Sequence, residues 1–153
     1  MIKYLKNILM SNFDKDDSIK ITLEKKIQIA TCSLFIEIAN ADDEFSGIEL
    51  RTIIDLMIKT FSLEENEVKE LIELSQKQIN KSVSFYEFTE IINKNFNNDE
   101  KFEIIKNLWR VILIDEILDA HEEYFLRIIT KNLNMDHKDL ITAKIMVKEE
   151  MGL

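Results

Sequence analysis

The chain is 153 residues long, with no proline, two glycines, one cysteine and a formal net charge of −9, which suits one domain able to bury a full core. Hairpin turns have almost no raw material here, an intrachain disulfide is excluded, and the acidic balance argues against a nucleic-acid backbone or an anionic membrane as main partner, since both reward positive charge. Cations and basic partner surfaces are the complementary expectation.

Residues 2–12 place Ile2, Leu5, Ile8 and Leu9 at helical spacing, and a polar break follows from Ser11 to Ser18. The reading is a docking helix and linker over 1–18, seated reversibly through Ile2, Leu5 and Leu9, ahead of a helical domain over 19–153. Lys3 and Lys6 interrupt the apolar start, which has neither the cleavage site of a signal peptide nor the length of a span. Cytoplasmic placement without direct membrane insertion is expected.

A helix is predicted over 22–41. Between Ile29 and Ala41 only Thr31, Ser33, Glu37 and Asn40 are polar, so this helix is surrounded by protein on most sides, and Cys32 within it reads as a buried, inert thiol. The next helix runs from Gly47 to about residue 60, with Ile48, Ile53, Ile54, Met57, Ile58 and Phe61 facing inward. Ser62-Leu-Glu-Glu65 and Ser84-Phe-Tyr-Glu87 read as capping boxes that open two further helices. The first carries Val68, Leu71, Ile72 and Leu74, the second Phe85, Phe88, Ile91, Ile92 and Phe96. A second strongly apolar helix is predicted from Asn98 to about Glu116, then helices over 120–132 and 136–151, the last with Leu140, Ile141, Ile145 and Met146 on one side. The sum is all-α: a compact bundle of roughly seven to eight helices, two of them central.

The stretch Ala39 to Leu50 recurs in altered form at Ile112 to Glu123, 73 positions on. Asp42 then pairs with Asp115, Phe45 with Leu118, Ser46 with Asp119 and Glu49 with Glu122, giving a shared Asp-x-x-apolar-(Ser/Asp)-x-x-Glu. Upstream, Ile36 pairs with Trp109 and Glu37 with Arg110. Downstream, Phe61 to Glu64 matches Leu133 to Asp136 at an offset of 72. This is an internal duplication. Ser46 with Glu49 and Asp119 with Glu122 form capping boxes, so half of each motif is a helix start. Asp42, Asp43, Glu44, Asp115 and Glu116 sit instead where the preceding helix ends, against its negative pole, at a cost of roughly 0.3–1 kcal/mol each. A bound cation, an arginine or full hydration would relieve it.

These residues, Ala39 to Glu49 together with Leu108 to Val111 and Leu118 to Glu123, resemble the tellurite-resistance TerB-like family, including the related domain at the head of some membrane-anchored DnaJ-type co-chaperones. The resemblance covers roughly residues 22 to 150 and departs from the family's Ala-Asp-Gly-Glu turns: Asp43 and Glu116 replace the glycines, Ile117 the second acidic residue, and Ala120 stands where proline is common. It implies an all-helical fold and a role in stress response and divalent-metal binding, with no catalytic mechanism.

Other chemistries fail on spacing. An EF-hand starting at Asn40 would have Phe45 in place of its glycine and Arg51 in place of its bidentate glutamate. A di-iron bundle needs Glu three residues before His, but Leu118 precedes His121 and Asn134 precedes His137. Two histidines and a distant Cys32 do not make a zinc centre, and no serine or cysteine has the setting of a nucleophile. What remains is a hard-cation site from Asp42, Asp43, Glu44, Glu49, Asp115, Asp119 and Glu122, whose oxygen-only ligands suit calcium, magnesium or manganese. The bland alternative is solvated helix ends. Phe35, Phe45, Trp109 and Phe125 read as core rather than ligand pocket.

The expected function is therefore a non-enzymatic stress-response module with a duplicated acidic turn, a candidate divalent-cation site and a protein partner of basic surface. The alternative is a metal-free interaction or regulatory domain using the same acidic face. Oligomeric state is not legible. Glu37 and Arg110, equivalent positions in the two most apolar helices, are expected to meet as a buried bidentate pair across an approximate twofold axis, because a lone charge there would be costly to desolvate.

Overall fold

The structure, a computed structural model, describes residues 22–41, 47–81, 85–114 and 120–153. Among them are seven helices: α1 Leu23–Ala39, α2 Gly47–Phe61, α3 Glu65–Lys81, α4 Tyr86–Asn95, α5 Asn98–Leu113, α6 Ala120–Asn132 and α7 His137–Met151. No strand occurs among the described residues. The predicted helix over 2–12, the cap Ser84 and the turn residues 42–46 and 115–119 lie outside them. No described helix is long and apolar enough to cross a membrane.

The core forms around the two apolar helices the sequence singles out. From its second turn onward α1 is enclosed: Ile29, Leu34, Phe35, Ile36 and Ile38 are inaccessible, as are Leu108, Val111 and Ile112 on α5. Their contacts follow the duplication. α1 packs on α2 and α3 as α5 packs on α6 and α7, α2 meets α3 as α6 meets α7, and α2 meets α5 as α6 meets α1. An approximate twofold therefore exchanges α1–α3 with α5–α7, and the sequence offset of 73 is a spatial relation.

The backbone repeats the same symmetry at the ends of α2 and α6. Ser62 and Asn134 both take a positive φ, 55° and 60°, and in each copy the next amide reaches back five residues, from Leu63 to the Ile58 carbonyl and from Met135 to the Thr130 carbonyl. This left-handed closure satisfies carbonyls that a helix end leaves orphaned. Ser62 thus ends α2 rather than capping α3 as predicted. The cap falls two residues later, where the Glu67 side chain accepts from the Glu64 amide, as Asp139 accepts from Asp136. Asn97 and Glu100 form a full capping box at the head of α5, and the Thr22 hydroxyl accepts from the Lys25 amide at the head of α1.

Two faces depart from the predicted pattern. Ile48, expected inside, is half exposed, because the first turn of α2 turns Glu49 inward instead. On α7 the buried positions are Leu140, Ala143 and Val147, while Ile141, Ile145 and Met146 face outward. That helix is apolar on two sides, so periodicity alone cannot choose between them.

Candidate functional site

The described flanks of the two acidic turns lie at one pole of the bundle. Phe125, in the first half of α6, lines a cavity with Asn40 and Ala41 at the end of α1. The far end of α6 lies elsewhere: Asn93 donates to the Asn132 carbonyl and Lys101, near the start of α5, donates to that of Leu133. The end of α1 and the head of α6 therefore share a pole.

Of the predicted cation ligands, Glu49 and Glu122 are described, and both are buried, 1% and 0% exposed. Each sits in the first turn of its helix, α2 or α6, and each takes part in a polar or electrostatic interaction. Exposed capping glutamates are common; a fully enclosed one in both copies is not required by capping alone, since carboxylates are rarely buried without compensation. The structure thus places two carboxylates inside the protein at equivalent points, each just after one of the acidic turn sequences. Asp42, Asp43, Glu44, Asp115 and Asp119 lie outside the described residues, and among those described no three His, Cys, Asp or Glu side chains converge as metal ligands. His121 and His137 are exposed.

The predicted Glu37–Arg110 pair does not form. The Arg110 guanidinium instead forks onto Glu150 of α7, with Nε to Oε2 at 2.8 Å and Nη2 to Oε1 at 2.7 Å, and also donates to the Asn107 side chain. Arg110 holds Glu150 below the usual carboxylate range, chiefly through these hydrogen bonds. Glu150 is about half exposed, so the pair contributes about 0–1 kcal/mol rather than the larger sum expected of a buried one. The reason is geometric. The twofold runs between α1 and α5 so that Glu37 faces α6 and Arg110 faces α2: Glu37 lines a cavity with Ile129, and Arg110 lines one with Leu56, the residue that the 73-position offset pairs with Ile129.

Glu37 lines a cavity of about 250 Å³ with Asn40, Ala41, Phe85, Phe125 and Ile129. Burial pushes its carboxyl above the usual glutamate range. A raised folded-state value means the native protein binds that proton more readily than the unfolded chain, so stability falls as pH rises from the ordinary glutamate value through the folded one, and the deficit persists at neutral pH. Glu37→Gln removes it. The variant is expected to melt above the parent at pH 7, with the gap closing below about pH 4; thermal melts across that range that show no gap at pH 7 would contradict this.

Cys32 is fully buried, and desolvation, its largest influence, pushes its thiol up to about 12, so it is neither nucleophile nor ligand at neutral pH. Phe35 and Trp109 are core, while Phe125 is half-buried and meets Phe85 edge to face at 6.0 Å.

A family profile described as tellurite resistance protein TerB matches residues 28–145. No curated protein and no solved structure matches the chain.

Proposed function

We propose, for a chain that belongs to the tellurite-resistance TerB family, a non-enzymatic stress-response module of the cytoplasm in which the paired acidic turns hold a divalent cation and so set the affinity of an acidic face for a basic protein partner. The burial of Glu49 and Glu122 at equivalent helix starts carries this reading. Two enclosed carboxylates next to two acidic turn sequences concentrate negative charge at one pole, and a hard cation is the ligand that most reduces the cost. Asp42, Asp43, Glu44, Asp115 and Asp119 would supply the outer oxygens.

Titration of the metal-free protein with calcium, magnesium and manganese tests it. At ten times Kd the stabilisation is about 1.4 kcal/mol, a rise of roughly 3–6 °C in Tm. Asp42→Ala with Asp115→Ala is expected to abolish both the heat and the rise. Absence of heat from the parent protein at millimolar metal sinks the cation half.

A second reading, a metal-free docking domain, is favoured by the outward face of α7. Ile141 and Ile145 stand where the equivalent helix α3 has Lys69 and Glu73, so the fold does not demand apolar residues there. Partner capture that ignores chelator and withstands high salt would select this reading, because apolar contact is not screened by salt while a metal site is removed by chelation.

A further inference from the structure

One described element lacks a counterpart in the twofold. α4 packs against α1 and α6, immediately ahead of the second repeat, and the equivalent place is the groove between α5 and α2, to be filled by whatever stands ahead of the first. The chain there is residues 1–21. The inward positions of α4 and its exit are Phe85, Phe88, Ile91, Ile92 and Phe96, all buried or half-buried against the core. At a single constant offset of 83 they become Ile2, Leu5, Ile8, Leu9 and Phe13. Five apolar positions agree in spacing, and Lys3 aligns with Tyr86, which is 58% exposed.

The groove fits that occupant. Between α2 and α5 a recess of about 680 Å³ has Leu56, Phe61, Phe96 and Ile104 on its floor, against about 250 Å³ beside α4 in the equivalent place. Its lining carries Glu100, Glu103 and Glu150 against Lys59 and Arg110, a net of one negative charge, while residues 1–10 carry Lys3 and Lys6 and no acid. Reach is sufficient: the eight residues between Phe13 and Thr22 span up to roughly 28 Å when extended. Thr22 stands at the head of α1, at the pole opposite the end of α1 and the head of α6, where α5 also begins and Phe96 lies just ahead of it.

We propose that residues 1–13 dock in the α2–α5 groove of their own chain as the missing counterpart of α4. Ile2, Leu5 and Leu9 enter the recess as Phe85, Phe88 and Ile92 enter theirs, and residues 14–21 provide the tether.

The test uses the full chain, isotope-labelled, with a nitroxide on Lys3→Cys; Cys32 is buried and does not compete for label. Amide signals from residues 56–61 and 100–110 are expected to lose half or more of their intensity, and those of Ile141 and Ile145 are expected to keep theirs. Adding Leu5→Asp and Leu9→Asp should restore the groove signals without disturbing the rest of the spectrum. Broadening centred on another face, even weak broadening throughout, or groove broadening that appears only when unlabelled spin-carrying chains are mixed with isotope-labelled ones, would each overturn the proposal.

Discussion

Trp109→Ala is expected to lower stability by about 3–5 kcal/mol, a fall of roughly 6–20 °C in Tm and the largest loss expected of a single truncation. Trp109 is among the largest fully enclosed side chains, so its removal leaves a cavity that neighbouring rigid helices cannot close. It also has a polar task. Its Nε1 donates to the Leu140 carbonyl at 3.0 Å, fixing the first turn of α7 to α5, and Lys144 of α7 stands over the ring at 5.1 Å. Trp109→Phe keeps most of the buried area and loses the hydrogen bond and part of the cation–π contact, for about 1–2 kcal/mol. Denaturant unfolding followed by far-ultraviolet dichroism reads both. An alanine variant within about 1 kcal/mol of the parent, below the range for a buried aromatic, would mean that α7 is not anchored through this residue.

The duplication is the most legible feature of the sequence because it is written in residue identity at fixed offset, and the structure repeats it in details that no periodicity specifies, such as the paired positive φ of Ser62 and Asn134. Cys32, Phe35 and Trp109 are legible as core since each lies in a run apolar on nearly every side. Faces are harder. Ile141 and Ile145 fit a helical stripe as well as Leu140, Ala143 and Val147 do, and only the position of α5 decides which stripe is inside. The partner of Arg110 escapes the sequence for a related reason: equivalence under a twofold says that two residues have equivalent surroundings, not that they touch, and touching requires that both lie on the axis. Glu150, 40 residues from Arg110, becomes its partner only once α7 is laid across α5. The burial of Glu49 and Glu122 is half visible, as capping glutamates, but their depth depends on neighbours that the local pattern does not contain.

The same limit on local reading explains Lys101, which the sequence presents as an ordinary surface lysine near the start of a helix. It is 6% exposed, and its ammonium donates to the Leu133 carbonyl at 3.0 Å. That carbonyl lies in the tight connection after α6, just beyond the helix's negative end, where a cation is favoured. The bond ties the start of α5 to the α6–α7 turn. Lys101→Met keeps the length and apolar stem but leaves a buried acceptor unmade, so a loss of about 1–3 kcal/mol is expected. Relief from desolvating the charge works the other way, but it is limited because the lysine already has a full hydrogen bond and a favourable helix end. Lys101→Ala should lose more than Lys101→Met, since the stem's packing goes as well. Unfolding curves for the two variants separate the contributions: a methionine variant as stable as the parent would show that the hydrogen bond merely offsets the cost of burying the charge, and that packing of the stem is all Lys101 supplies.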